Sequence, residues 1–341
     1  MFKLHKKEKE TASAPSYKIT KDTIIEHRRK VIAEGRRFKY PFQYSKHKLV
    51  FNTIIISFAA LIVFSVFVWQ QLYIAQNSSD FFYSIARIFP LPVAKIDGEN
   101  VLFSDYLMKY RSAVFYLENK EQVDLSSADG KKQVAYVEQQ SYKDALADAY
   151  VKKVANKSHI TVSDQEVNDF IKNQNKENNV QQSTYEAVIK DYYNWSPSEY
   201  KQIVKEKMLR QRVSYLIDGT AKKQNDLLSS YIVKNGSDKT LKNIVEDFNK
   251  AHNYNLSYAE SGIVLKSNHD YGLTSEASLL NKNEILKSFK TTSGDGYYFI
   301  QLLDKNSTNV NYGYVKISLT QLSKDIDGVE KSGKVVNYIK L

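Results

Sequence analysis

From Leu49 to Tyr73 the chain reads LVFNTIIISFAALIVFSVFVWQQLY, 25 residues without a charge, and no Asp, Glu, Lys, Arg or His occurs between Lys48 and Asp80. As a helix such a run is roughly 37 Å long at 1.5 Å per residue, enough to cross a ~30 Å hydrocarbon layer with some tilt. Trp69 and Tyr73 stand near one end, where amphipathic rings favour the membrane interface. A buried core helix is the bland alternative, but nothing nearby interrupts the run. A cleaved signal peptide needs an h-region of only about 7–15 residues close to the start. The run reads as a retained anchor over 49–75, in contact with lipid from Leu49 to Tyr73.

The flanks predict its orientation. Residues 1–48 carry 14 Lys or Arg against 5 Asp or Glu, a net of +9 out of the chain's +11. The positive-inside rule keeps such a tail in the cytoplasm and exports the residues beyond the anchor. The basic balance is therefore a topology signal, and no nucleic-acid partner is expected from it, since that would need basic and stacking residues on a folded surface. Within the tail, TIIEHRRKVIAEGRRFKY has the spacing of a basic amphipathic helix that would lie on anionic lipid. A solvated tail that only sets topology is the alternative. The chain has no cysteine, which excludes a disulfide framework and a thiol nucleophile.

Beyond the anchor, 76–92 reads as a linker stiffened by Pro90 and Pro92. VAKIDGENVLF has the pattern of a hairpin turning at Asp97-Gly98. Ser104 is placed to cap a helix carrying apolar residues at Tyr106, Leu107, Tyr110, Val114 and Leu117, and a second helix is expected from about Lys131 to Ala155. Ser163 with Glu166, and Ser196 with Pro197 and Glu199, are two capping boxes opening further helices. Residues 93–218 are thus mostly helical. Further on, NEILKSFKTTSGDGYYFIQLLDK has a turn at Gly294 and Gly296 and then a strand in which Tyr297, Phe299 and Gln301 share one face and Tyr298, Ile300 and Leu302 the other. NYGYVKISL is placed to fold back on that strand after the polar connection DKNSTNV.

The order VAKIDGENVLFSDYL, long helix, HITVSDQEVNDFI, WSPSEYKQIVKEKMLRQRV resembles the N-terminal chaperone module of the SurA and PrsA family of extracytoplasmic folding factors. In that family a parvulin-type prolyl isomerase domain commonly comes next, and NEILKSFKTTSGDGYYFIQLLDK is similar to its closing pattern, with Glu284-Ile285, Thr291 and Gly296-Tyr297 in the corresponding places. The resemblance implies a single transmembrane helix plus an α+β ectodomain: a helical chaperone module (93–218), a small parvulin-like antiparallel sheet with helices (219–320) and a C-terminal tail (321–341). It also implies a groove whose candidates here are Leu273, Leu280, Phe289, Thr291 and Tyr298. Packing in the domain's own core is the competing reading for Leu273, Leu280, Phe289 and Tyr298.

Isomerising an X-Pro bond lowers a barrier of ~18–20 kcal/mol set by amide resonance and needs neither metal nor cofactor, and none is expected. Parvulins line their groove with two His. Tyr298 occupies the closing-strand His position, and no counterpart of the other His precedes the first helix of the domain. Catalysis is therefore expected to be weak or lost, leaving a membrane-anchored chaperone of the cell envelope that binds newly exported polypeptides. An active isomerase and a scaffold with one dedicated partner are the alternatives. His269 beside Asp270 lacks a Ser or Lys partner in a catalytic spacing, and NGSDKT at 235–240 lacks the leading glycine of a phosphate loop.

Overall fold

The computed structural model describes residues 20–39, 41–236 and 239–340, so the first 19 residues of the basic tail, and Ser237 and Asp238 in NGSDKT, lie outside the described residues. Two compact units divide at Trp69. The first contains α1 (Lys21–Lys39), a helix in the basic tail, and α2 (Pro41–Trp69). Leu49, Phe51, Ile55, Phe58, Leu61 and Val63 of α2 are all exposed. Its hydroxyls bond back along the helix, Thr53 Oγ1 to the Leu49 carbonyl and Ser65 Oγ to the Leu61 carbonyl, both at 2.8 Å. No polar group of those side chains is thereby left bare in an apolar surround. Among the described residues one helical run, Lys48–Ile74, is long and apolar enough to cross a membrane.

The second unit opens with a π-helical turn, Gln70–Ile74, and here the expected boundaries move. Leu72 is fully buried in the fold, the Tyr73 hydroxyl donates to the Pro92 carbonyl at 2.9 Å, and the Tyr73 ring meets Phe103 edge-on at 4.9 Å. The end of the apolar run is part of a folded domain. The expected linker 76–92 is likewise replaced by a helix, α3 (Asp80–Ile88), which buries Phe82, Tyr83, Ile85 and Ala86. Four of its nine residues are apolar or aromatic and inward, which gives it reason to pack.

A hairpin comes next, β1 (Pro92–Ile96) and β2 (Glu99–Leu102), with Ile96 opposite Glu99. Its two-residue turn has φ of 47° at Asp97 and 89° at Gly98, the left-handed pair that a type I′ turn demands. Then come α4 (Phe103–Asn119), α5 (Ala128–Lys157), α6 (Asp164–Glu177), α7 (Gln182–Tyr193) and α8 (Pro197–Ile217). Both predicted capping boxes form, with Ser163 and Ser196 each accepting the amide three residues on at 3.3 Å. The predicted Ser104 cap does not: Leu102 holds that position, and Ser104 turns to its neighbour Asp105. The phenylalanine that starts α4 sits at its first turn because it is needed inside, where Phe103 is 1% exposed.

The remaining elements are α9 (Gly219–Asn235), α10 (Leu241–His252), β3 (Tyr258–Glu260), β4 (Val264–Leu265), α11 (Leu273–Leu279), β5 (Ile285–Lys290), β6 (Gly296–Lys305), β7 (Asn309–Ser318), α12 (Gln321–Lys331) and β8 (Val335–Asn337). The fold class is as expected: mostly helical with an apolar N-terminal helix, followed by an antiparallel sheet domain. The main sheet has the order β3-β7-β6-β5, and β4 also pairs with β7. NYGYVKISL does fold back on the preceding strand, with Phe299 opposite Val315.

The expected C-terminal tail is a structural element as far as the described residues run. β8 adds to the hairpin in the order β2-β1-β8, antiparallel to β1, with Lys95 opposite Val336. Lys153 on α5 donates to the Asp97 carboxylate at 2.5 Å, and the Asp97 amide donates to the Lys334 carbonyl at 2.9 Å. The last segment of the chain thus closes the sheet begun by the first strand.

Candidate functional site

Alternation along β6 sends its side chains to two covered faces. Tyr297 and Phe299 join Leu228, Ile232, Ile244 and Phe248 of α9 and α10. Tyr298, Ile300 and Leu302 join Leu273, Ala277 and Leu280 at α11 and Val310 and Tyr312 of β7. Gln301 is buried on the first face, where its Oε1 accepts the Leu241 amide at 2.8 Å and its Nε2 donates to the Asn283 carbonyl at 3.1 Å. That side chain supplies one of the partners which the first turn of α10 cannot find within the helix.

The five groove candidates converge on the second face and its end. Leu273, Leu280 and Tyr298 are buried together, and Phe289 packs against them from β5, directly opposite Tyr298 in register. Thr291 is buried just beyond β5, its Oγ1 at 2.6 Å from Ser293 Oγ and donating to Asp295 Oδ1 at 3.0 Å. These residues form a packed layer in this structure.

Asp295, which sequence reasoning missed, organises the polar end of that layer. Besides Thr291 it accepts hydrogen bonds from Ser293 at 2.5 Å, from the Tyr298 hydroxyl at 3.0 Å and from Lys316 Nζ at 2.5 Å. Burial pushes its pKa up, but the bonds from Lys316, Ser293, Tyr298 and Thr291 outweigh burial and hold the carboxyl at about 2. Burial, with the bond to Asp295, pushes the Tyr298 hydroxyl well above its ordinary value. Tyr298 thus keeps its proton at neutral pH and donates a hydrogen bond through it to Asp295. A side chain so occupied is a positioned donor and no general base. The only hint in the sequence is the acid within the turn SGDGYY.

His269 is exposed, and its neighbour Asp270 faces elsewhere: Asp270 accepts the Thr274 amide at 2.8 Å and the Thr274 and Tyr312 hydroxyls, each at 2.5 Å. Asp270 thus fastens the loop before α11 to β7. An open cleft of about 590 Å³ is lined by Asp218, Leu256, Tyr314, Lys316, Thr320 and Lys324, so that Lys316 joins it to the Asp295 cluster.

In the helical module the exposed Tyr192 and Tyr193 gather with the half-buried Tyr116 and Trp195 where α4 meets the end of α7. Tyr193 stacks on Trp195 at 4.8 Å between ring centroids and on Tyr116 at 6.4 Å, and Lys120 Nζ lies 4.9 Å over the Tyr192 ring. Tyr192 and Tyr193 are 44% and 38% exposed. Behind this row α4, α5 and α8 are locked by buried charges: Lys109 reaches Asp148 at 2.8 Å and Glu206 at 3.1 Å, Lys152 reaches Asp105 at 2.7 Å, and Arg210 reaches Asp148 at 2.6 Å. Burial acts to lower the Lys109 pKa, yet Glu206 and Asp148 raise it above the ordinary value, so the ammonium stays charged inside the bundle.

A family model describing the SurA-like N-terminal domain matches residues 43–214, from within α2 to near the end of α8. No curated protein matches the chain, and no solved structure does. The sheet domain from α9 to β7 lies beyond the match. Since the match covers half of the 341-residue chain, the protein belongs to the family of the SurA-like N-terminal domain, a chaperone family of the periplasmic type.

Proposed function

We propose that this protein is a membrane-anchored, extracytoplasmic chaperone that holds newly exported polypeptides through its SurA-like module. Leu49 to Trp69 form the anchor, the basic residues 1–48 remain cytoplasmic, and residues 93–218 carry the client surface. The observation that carries the reading is the row Tyr116, Tyr192, Tyr193 and Trp195 on a module of this family. Rigid amphipathic rings meet varied apolar side chains at little entropic cost and keep a polar edge in water.

Residues 219–320 are, in this reading, a parvulin-like domain that has kept its packing and lost its turnover. In support, β7 lies centrally between β6 and β3, where the resemblance expects the domain's first strand, and Tyr298 stands in the closing-strand His position with its hydroxyl bound to Asp295. The buried candidates Leu273, Leu280 and Tyr298 favour packing over an open groove.

The test uses the full chain in lipid nanodiscs. It is expected to suppress aggregation of an unrelated unfolded protein at near-stoichiometric ratios without ATP, and Tyr192→Ser with Tyr193→Ser is expected to abolish most of that effect. Crosslinking in intact cells separates the scaffold reading, for which one dominant partner would appear in place of many exported clients. Protease added to spheroplasts should remove residues beyond the anchor and spare the basic tail; protection of the C-terminal region overturns the orientation.

A further inference from the structure

Helix α3 is apolar on both sides. Phe82, Tyr83, Ile85 and Ala86 face the fold, whereas Phe81 and Ile88, seven residues apart and therefore on one face, are 56% and 72% exposed. Phe89, which ends the helix, is 55% exposed, and Ile74 in the preceding π turn 65%. Ser84 and Arg87 are the exposed polar residues among them. At the start of the helix the Asp80 carboxylate is ion-paired with Arg111, so the face carries little net negative charge. Exposed apolar groups gathered this closely mark a contact surface.

The chain itself says what that surface can reach. Leu72 and Tyr73, the two residues before the last of the apolar helical run, are packed into the domain. From Ile74 to Asp80 the chain can extend at most ~22 Å, at ~3.6 Å per residue, so α3 stays close to wherever the anchor leaves the bilayer. Gln76 is held in addition by its side-chain amide, which donates to the Lys340 carbonyl at 2.5 Å.

We infer that the outer face of α3, with Phe81, Ile88 and Phe89, is immersed in the lipid interface beside the anchor, so that the SurA-like module stands on the membrane in a set orientation. Aromatic and aliphatic side chains of a surface helix settle ~5–10 Å into the headgroup and acyl boundary. The inference rests on the anchored reading of Leu49 to Trp69. It goes beyond that reading by fixing which face of the exported domain touches lipid.

The chain has no cysteine, so a single introduced thiol can be labelled uniquely. The full chain with Ile88→Cys, Phe81→Cys or Ser84→Cys, the last a polar position on the same face, is labelled with an environment-sensitive fluorophore and reconstituted into vesicles containing lipids with a shallow nitroxide. Leu279→Cys, exposed on the sheet domain, is the control. The α3 labels are expected to lose about half or more of their emission to the nitroxide, as an interfacial depth requires, and the control little. Flotation with the vesicles but equal, weak quenching at all positions overturns the inference and leaves the anchor standing. A blue-shifted α3 label without nitroxide quenching means that protein covers the face, which also overturns it. Failure of the chain to float overturns the anchor and the inference together.

Discussion

The carboxylate of Asp218 accepts the amide of Thr320 at 2.7 Å across 102 positions of sequence, while its other oxygen accepts the Ala221 amide at 2.8 Å. A third bond comes from the Gln321 amide at 3.1 Å. One buried side chain therefore caps α9 locally and α12 from a distance, and Thr320 makes no side-chain cap of its own. Asp218→Ala is expected to destabilise the folded chain by about 2–3 kcal/mol, the sum of roughly two lost caps, read as a lower urea midpoint. An unchanged midpoint would mean that α12 is held by other contacts.

Asp295 sets an acid limit on stability. Its folded pKa of about 2 lies below the ordinary carboxylate value of ~3.9, so the stability it contributes is complete above pH ~4 and is lost as pH falls toward 2. Asp295→Asn should flatten the urea midpoint against pH within that window and leave its slope above pH 5 unchanged. Parallel wild-type and variant curves below pH 4 would show that the bonds to Lys316 and Tyr298 are not what holds the proton off.

Phe299 and Ile300 are both fully buried, on opposite faces of β6 and in separate clusters. Phe299→Ala is expected to cost about 3–5 kcal/mol and Ile300→Ala about 2–5 kcal/mol in equilibrium unfolding. A change below 1 kcal/mol at Ile300 would mean that the α11 side of the sheet collapses onto the space or is open to water.

Gly296 starts β6 with ordinary backbone angles, and its constraint is crowding. A Cβ there would lie 2.5 Å from the Ile317 carbonyl oxygen. Backbone cannot move aside as a side chain can, so Gly296→Ala should cost about 1–3 kcal/mol and weaken amide protection at the start of the β6–β7 ladder. Wild-type exchange rates there would refute the close approach.

In the helical module Glu206 serves two cations, Lys109 at 3.1 Å and Lys152 at 3.4 Å. Glu206→Ala leaves both with a single carboxylate each, and about 3 kcal/mol of stability should go with it. Restoring activity in the aggregation assay at low temperature would show that the loss is one of folding and that the aromatic row is intact.

Much of the molecule is encoded in short spacings. The apolar helix arises from an uncharged stretch of the right length, the two capping boxes from Ser and Glu three positions apart, the hairpin from Asp97-Gly98, and the two faces of β6 from strand alternation. Each is decided by bonds or sterics within a few residues, so the pattern of residue types suffices. The apolar helix and the helical module are legible for that reason.

The tertiary structure alone decided the rest. Val335–Asn337 is too short a run to be read as a strand from its residues, and it becomes β8 because β1 offers an open edge for it. Tyr73 looks like an interfacial ring by position, yet its hydroxyl finds Pro92 and its ring finds Phe103, which brings the end of the apolar run into the fold. Asp218 and Asp295 read as ordinary loop acids until the amides and donors that surround them are brought together from distant segments. The groove candidates Leu273, Leu280, Phe289, Thr291 and Tyr298 were selected by resemblance, and their burial depends on α11 and β7 closing over β6. Local sequence determines which conformation a segment prefers; which surfaces it covers is settled by partners far along the chain, because burial and carboxylate satisfaction are properties of the assembled neighbours.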